Sequence, residues 1–167
     1  FGGGGMLLAY GIVCALVERA TSGRGQVVDA AMVDGVACLM SIIHGAQQSG
    51  WWHEERGKNM LDSGAHFYEV YETKDGEYVS IGSIEPQFYA RLRELAGLTE
   101  DRDFDAQHDP SKWPALKAKL TDLFKTRTRA EWDSLMEHTD VCYAPVLTMS
   151  EAAEHPHNRA RETFVTV

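Results

Sequence analysis

The sequence predicts an α/β protein, and three patterns carry that prediction. Residues 78–83 alternate apolar with small side chains as a half-buried strand does, and a helical pattern begins directly afterwards at Pro86. Aromatic and β-branched runs flank Lys74-Asp75-Gly76, a sequence typical of a β-hairpin turn. Several other segments carry apolar residues at helical spacing. Strands and helices are therefore expected in one chain.

The composition is typical of a soluble globular protein, with 44% hydrophobic and 25% charged residues in a chain of 167. That length allows one ordinary domain or two small ones. A formal net charge of −9 argues against a nucleic-acid partner, because phosphate binding needs a basic stripe. The two basic clusters have helical spacing and are interpreted as solvated helix faces. They are Lys112, Lys117 and Lys119, and Lys125, Arg127 and Arg129.

Cysteine and histidine spacing indicates neither a disulfide nor a metal site. Cys14, Cys38 and Cys142 are odd in number and widely spaced, as reduced thiols in a cytosol-like compartment are. Of the seven histidines only His155 and His157 are close together, and no third ligand follows nearby. We therefore expect no disulfide and no bound metal.

The first segment is expected to be a buried core helix. The run from Met6 to Val17 is apolar almost all round, and Gly23 supplies a stop. At about 12 residues the run is too short to span a bilayer, so no membrane span is expected. The chain starts at Phe1 without a methionine or a signal-peptide pattern, as a fragment would.

Glycines precede this helix and have two interpretations. Gly2, Gly3 and Gly4 can let backbone N–H groups approach an anion, such as a thioester oxygen that gains negative charge. Close packing of the helix on a strand is the alternative, and glycine permits both.

A parallel α/β unit and a linker are expected next. Residues 26–32 form a candidate strand, and 33–47 carry apolar residues in a helical distribution. Residues 51–64 have no period and are interpreted as a linker. This segment contains large apolar residues, which are not expected in a linker that is fully exposed to solvent. We therefore expect it to be ordered only by packing on another surface. These residues are Trp51, Trp52, Met60 and Leu61.

Further helices and a last strand are predicted beyond the hairpin. Helices are expected at 86–96 and 113–125, and Thr128 with Glu131 makes a capping box for a shorter one. A strand follows at 141–147, where Pro145 is typical of a sheet edge. The last helical turn is expected to be capped by Ser150.

Glu85 is the candidate functional residue that the local pattern singles out. It lies between the strand and Pro86, which suits a first helical position because proline lacks the N–H that would be unpaired there. A carboxylate at this cap is expected to accept backbone N–H groups and be held in one orientation, so it could position a base. A plain capping role is the alternative, since most such junctions are not catalytic.

Five motifs follow one another along the chain. They are FGGGG, ERATSGRGQVVDAAMVDG, RGKNMLDSGAHFYEVYETKDGEY, GSIEPQFY and YAPVLT. In this order they resemble the alpha-methylacyl-CoA racemases, which belong to the family III CoA-transferase superfamily. The resemblance runs nearly end to end. It implies a homodimer of two interlocked rings, in which each chain has a Rossmann-like large domain, a small α/β domain and linkers that thread through the partner.

By this resemblance the chain divides into four parts. Residues 1–30 would be the C-terminal part of the large CoA-binding domain, 31–66 a helix and linker, 67–157 the small α/β domain, and 158–167 a returning linker. The resemblance implies an acyl-CoA thioester substrate and no cofactor apart from the coenzyme A of that substrate. It also implies a cytoplasmic location in a bacterium and a peroxisomal or mitochondrial one in a eukaryote.

The chemistry that the resemblance implies is 1,1-proton transfer at the carbon α to the thioester, through an enolate-like species. This needs two acid/base groups, which in the family are a His and an Asp. Both would lie upstream of Phe1, so this chain alone is expected to be inactive. No histidine here matches the family's catalytic position, including His66, which lies within a motif.

Site residues carry over from the resemblance one at a time. Glu85 matches the residue that hydrogen-bonds the catalytic His and supports its basicity. Tyr68 and Ile84 match positions that line the active site. Met60 and Leu61 match the apolar surface for acyl groups, where flexible Met side chains adapt to varied shapes. Plain packing in the hairpin is the alternative for Tyr68, and packing on the core is the alternative for Met60.

Two rival functions stay open. A true CoA-transferase of the same superfamily would use the Asp before the glycines as a nucleophile that forms an acyl anhydride. The sequence from Ile84 to Tyr89 favours the racemase, because transferases usually carry a different motif after this strand. The second rival is a non-catalytic acyl-CoA-binding module.

Overall fold

The computed structural model describes residues 1–166 and divides into two compact units, Phe1–Glu54 and Glu55–Val167. The first unit is helical. A π-helical turn at Gly2–Met6 leads into α1 (Leu7–Ser22), and α2 (Met32–Leu39) and α3 (Ser41–Gln48) follow. The predicted domain boundaries at 30, 66 and 157 stay predictions.

The segment between α1 and α2 differs from the expected strand. It has no hydrogen-bonded neighbouring strand among the described residues, and the Val27 side chain is exposed. Val28 instead packs against α1. A Cβ built on Gly11 of that helix would lie 2.8 Å from the Val28 Cγ1 atom. The expected strand at 26–32 and the parallel α/β unit are therefore wrong. The expected helix at 33–47 is divided at Met40, between α2 and α3.

Helix α1 is not a core helix within its unit. None of its residues is buried. Together with the π-helical turn, Gly2–Ser22 has 21 residues, and an 18-residue window within it has a mean hydropathy of 1.3. Length and composition alone would let it cross a bilayer, a criterion that core helices of soluble proteins also meet. The expectation that the segment is too short is wrong, because the helix includes the glycines and continues to Ser22.

The second unit contains a three-stranded antiparallel sheet in the order β1-β2-β3. Its strands are β1 (Tyr68–Glu72), β2 (Tyr78–Gly82) and β3 (Tyr143–Val146). The predicted hairpin of β1 and β2 is confirmed, and Gly76 supplies the positive φ of its turn, at 78°. Pro145 lies in the edge strand β3, where a missing N–H costs least.

The described part of the second unit also contains the helices α4 (Pro86–Leu95), α5 (Trp113–Phe124), α6 (Arg129–Met136), α7 (Met149–Glu154) and α8 (Pro156–Ala160). A 3₁₀ helix lies at Arg102–Asp105. The capping box of Thr128 and Glu131 is confirmed. The expected cap at Ser150 is wrong, because the N-cap is Thr148, two residues earlier, which forms a second capping box with Glu151.

The hydrophobic core lies under one face of the sheet. Tyr71 of β1 stacks on Phe124 with ring centroids 4.9 Å apart, and Phe124 contacts Trp132 at 5.0 Å. Every buried core residue among those described lies between Ala65 and Val141. The opposite face of the sheet is left available for a site.

Candidate functional site

An open groove of about 380 Å³ lies along the face of the sheet that carries the exposed side chains of Tyr68 and Val70. Tyr68 pairs with Gly82, and a Cβ built at Gly82 would lie 3.5 Å from the Tyr68 ring. Leu61 and Cys142 also line the groove. Its volume is in the range of small-molecule sites, and apolar side chains supply much of its wall.

A turn at Gly57–Gly64 brings Leu61 to this groove. The Asp62 carboxylate accepts hydrogen bonds from the Gly57 and Asn59 backbone N–H groups, at 3.1 and 2.8 Å, and from the Asn59 side chain at 2.6 Å. Burial acts to raise the pKa of Asp62, but these hydrogen bonds outweigh it and the pKa is lowered. The expectation that 51–64 cannot order itself is therefore wrong for this turn.

Met60 and Leu61 point in different directions from the turn. Met60 is half-buried and packs on the core, as its packing alternative proposed. Leu61 is 46% exposed and lines the groove. Ile84 is also half-buried against the core, and its N–H donates to the Gly82 carbonyl at 2.8 Å. Of the four predicted lining residues in this unit, Leu61 and Tyr68 therefore meet at one groove.

Glu85 occupies the N-cap position of α4, with φ of −72° and ψ of 143°. Its carboxylate accepts no backbone N–H, so the expectation of side-chain capping is wrong. Among residues 1–166 no group donates a hydrogen bond to this carboxylate or forms an ion pair with it, and the residue is exposed. The carboxylate is therefore available to a donor from outside these residues.

Hydrogen bonds of buried side chains fix the backbone directly before Glu85. The Gln107 side chain donates to the carbonyls of Ser83 and Ile84, at 3.1 and 2.9 Å. The Ser83 hydroxyl donates to the Val141 carbonyl at 2.6 Å and is fully buried. The orientation of Glu85 thus depends on this junction and not on a cap. Sequence reasoning missed Gln107, because nothing in the local pattern links it to a strand end.

Cys142 was not predicted as a site residue. It lines the groove in a left-handed conformation, with φ of 57°, and its carbonyl accepts the Gly82 N–H at 2.9 Å. Burial raises the pKa of the Cys142 thiol, and the Glu85 and Asp140 carboxylates add to the effect. The thiol is therefore kept protonated. The sequence signal that could have identified Cys142 is its position directly before the YAPVLT motif.

The glycines Gly2, Gly3 and Gly4 belong to the first unit. A Cβ built at Gly3 would lie 2.7 Å from a Val36 side-chain atom, and one at Gly4 would lie 2.9 Å from Met32. These glycines thus allow close packing, as the alternative proposed, but their partner is helix α2 and not a strand. Anion binding by their N–H groups stays a prediction.

His66 is fully buried in the core. Its Nε2 atom lies 2.8 Å from the Tyr89 hydroxyl, which is 3.1 Å from the Phe104 carbonyl. Because the hydroxyl has one proton for that carbonyl, His66 donates through Nε2–H, and its Nδ1 lone pair has no hydrogen-bond partner among residues 1–166. Burial lowers the pKa of His66 to about 4, with His108 and Lys117 adding to the effect. His66 is thus a neutral core residue.

The basic clusters are largely neutralised within the unit. Lys117 pairs with Glu69 at 2.6 Å, and Lys125 pairs with Glu72 at 2.7 Å. Lys119 contacts both Asp101 and Asp103, and Arg129 contacts both Glu77 and Glu151. Each of these four cations therefore has an acidic partner within the unit.

Comparison with known proteins gives consistent results over the whole chain. The model of CoA-transferase family III matches residues 1–167. The chain is 49% identical over 166 residues to a mouse (Mus musculus) protein named alpha-methylacyl-CoA racemase, and 45% identical to the human (Homo sapiens) protein of that name. Each alignment covers 99% of this chain and 43% of the relative. The chain thus spans less than half the length of these relatives.

A more distant relative and a solved structure complete the comparison. A Chloroflexus aurantiacus protein named succinyl-CoA–D-citramalate CoA-transferase is 30% identical, over 95% of this chain and 40% of its own length. The crystal structure of Rv3272 from M. tuberculosis has a TM-score of 0.74 at 22% identity, and the match covers 98% of this chain and 42% of that one. At this identity the likeness concerns the fold alone.

Proposed function

This chain belongs to CoA-transferase family III, and on that basis we propose that it is part of a racemase of 2-methyl-branched acyl-CoA thioesters. The enzyme inverts the carbon α to the thioester by removing its proton on one face and returning a proton on the other. Two acid/base groups are needed for this, and both lie outside this chain in the proposal. Their identity as a His and an Asp follows the racemase resemblance, as does the assembly of two such chains into a homodimer.

Glu85 is the residue of this chain that supports the base. A carboxylate that hydrogen-bonds an imidazole fixes its tautomer and favours its protonated form. The observation that carries this role is the exposed Glu85 carboxylate, which none of the described residues uses as a hydrogen-bond acceptor. The first N–H groups of a helix are available to a carboxylate at the N-cap, and the Glu85 carboxylate does not accept from them.

The groove, which reaches Gly82 at the end of β2, receives the acyl part of the substrate in this proposal. Leu61, Tyr68 and the protonated Cys142 thiol give it an apolar wall. An apolar wall suits a methyl-branched chain, because burying hydrocarbon is favourable in proportion to the area covered. The CoA phosphates bind elsewhere in this proposal, because the cations near the sheet are already paired.

A CoA-transferase is the second candidate. The observation that favours it is the relative named as a transferase, which matches over the same span at 30% identity. The two proteins named as racemases match at 45% and 49% identity, and this difference makes the racemase the leading proposal.

Incubation of the full-length enzyme with one epimer of a 2-methylacyl-CoA in D₂O tests the proposal. A racemase incorporates deuterium at the α-carbon and yields both epimers. A transferase instead moves CoA to an added carboxylate without α-exchange, and a binding module does neither. Transfer without exchange, or binding without either reaction, would overturn the racemase proposal.

A further inference from the structure

The turn at Gly57–Gly64 is closed by one side chain. Both oxygens of the Asp62 carboxylate are used, Oδ1 by the Asn59 N–H and Oδ2 by the Gly57 N–H and the Asn59 amide. The Gly64 N–H donates to the Asn59 carbonyl at 3.0 Å, so the last residue of the turn is bonded to its third residue. Asp62, which follows Leu61, is therefore bonded to residues that precede Met60.

This backbone would not adopt its conformation by local preference. Gly57 and Ser63 both have positive φ, at 74° and 73°, and the Ser63 conformation is uncommon for a residue with a Cβ. At Gly64 a Cβ would lie 2.3 Å from the Asn59 carbonyl oxygen, so the chain passes too close for any other residue. Specific hydrogen bonds must compensate for such conformations.

The far end of the turn is attached to the rest of the unit. Lys117 of α5 donates to the Ser63 carbonyl and to Glu69 of β1, the latter at 2.6 Å. Met60 packs on the core on one side, and Leu61 lines the groove on the other. With Ser63 fixed by Lys117, the Asp62 hydrogen bonds decide where Leu61 lies along the groove.

We propose that Asp62 is a positioning residue that sets which acyl chains the groove accepts, by holding Leu61 at the groove wall without touching the substrate. This inference depends on the function proposed above for the groove. It assigns to Asp62 the selectivity between short and long acyl chains and leaves proton transfer to other groups.

The test compares binding of unreactive thioether analogues of a short and a long 2-methylacyl-CoA by the full-length enzyme. For Asp62→Asn we expect the ratio of the two Kd values to change by about tenfold, the scale of a displaced apolar contact in a pocket. Turnover of a short substrate should stay within about threefold of wild type, because the reacting atoms are not touched. Amide hydrogen exchange should rise at 57–64 and nowhere else.

Two further variants make the outcome decisive. Leu61→Ala changes an exposed side chain, so it keeps the fold and must shift the same ratio. Asp109→Asn is the matched control, because this exposed carboxylate also holds a loop, through the Ser111 N–H and hydroxyl at 3.0 and 2.7 Å. It should leave the ratio unchanged.

An unchanged ratio of the two Kd values in Asp62→Asn or Leu61→Ala would overturn the inference. So would a shift of the same size in Asp109→Asn, or a wild-type enzyme that binds both analogues equally. Failure of the proposed function gives a different result. In that case wild type discriminates between the analogues but exchanges no α-hydrogen, and the Asp62 variant still alters the discrimination.

Discussion

At the scale of single residues, Glu85 holds the N-cap position of α4 without a side-chain capping hydrogen bond. A side-chain cap typically contributes about 1 kcal/mol to stability, and this chain forgoes it at the end of β2. Thr128 and Thr148 show that capping is used elsewhere in the same unit, each with a glutamate three residues on. The exposed carboxylate therefore has little structural function within the described residues.

Glu85→Gln in the full-length enzyme should lower kcat by about 10²–10⁴-fold and leave KM within a few-fold, because the amide cannot favour a protonated base. Stability should hardly change, since no hydrogen bond within the described residues is lost. Steady-state kinetics and a thermal melt check both expectations. Glu151→Gln is the control, because it weakens the contact with Arg129 and should reduce stability without altering kcat. An unchanged kcat in Glu85→Gln would contradict the catalytic role.

His66 should make stability depend on pH. Its pKa is about 4 in the folded protein and 6.5 in its unperturbed state, so the unfolded chain binds the extra proton between these values. The stabilisation is complete above pH 6.5 and is lost progressively down to pH 4, by up to about 3 kcal/mol. Urea titrations across this range should show the slope. His66→Gln should flatten it, whereas the exposed His157→Gln should retain it, and a slope that persists in His66→Gln would exclude this cause.

At the scale of elements, the close contact between the π-helical turn and α2 defines the first unit. Gly35 is the one buried residue within 1–54, and a Cβ there would lie 1.9 Å from the Gly3 carbonyl oxygen. The atom that an added Cβ would meet belongs to the backbone, so the clash cannot be relieved by a change of side-chain rotamer.

Gly35→Ala should therefore destabilise the first unit by about 1–3 kcal/mol, although alanine is the better helix former. Gly45→Ala in α3 is the matched control, since a Cβ there meets nothing within 4 Å. That substitution should stabilise the protein by up to about 1 kcal/mol. Chemical denaturation of the full-length protein, with hydrogen exchange over 1–54, measures both. Equal effects of the two substitutions would argue against the close crossing.

The elements that the sequence predicted well are those with local causes. Asp75-Gly76 predicts the hairpin turn, and the capping box of Thr128 and Glu131 predicts the start of α6. Both signals are local, because turn and cap chemistry act over a few residues. The exposure of α1 was not predictable, since an apolar run does not reveal what covers it. The Asp62 turn was missed because its bonds join side chain to backbone without any hydrophobic period.

The same distinction applies to the candidate site. Leu61 and Tyr68 were named in advance and meet at the groove, but only through the resemblance and not through spacing. Gln107 and Cys142 were missed because long-range contacts bring them to the end of β2. Glu85 was located correctly at the cap, while the orientation of its carboxylate required coordinates.

At the scale of the whole molecule, the two units differ in how they are stabilised. The second contains the entire described core, including Phe67, Phe124 and Trp132. The first has an exposed apolar helix and one buried glycine.

Residues 55–166 expressed alone should consequently fold and unfold cooperatively. Near-ultraviolet circular dichroism and the fluorescence of the buried Trp113 and Trp132 report on this packing. Residues 1–54 alone should show no cooperative transition, because so little of their apolar surface is buried. A second-unit fragment without a thermal transition would show that its core needs the first unit.

The Asp62 turn also indicates how a mutant library for new substrates should be built. Gly57, Asn59, Asp62 and Gly64 are each fixed by backbone conformation or by the hydrogen bonds that close the turn, so randomising them would mostly yield misfolded clones. Leu61 takes no part in that closure through its side chain and faces the groove. Saturation at Leu61, paired with Tyr68 on the same wall, therefore explores altered selectivity at the smallest cost in discarded variants.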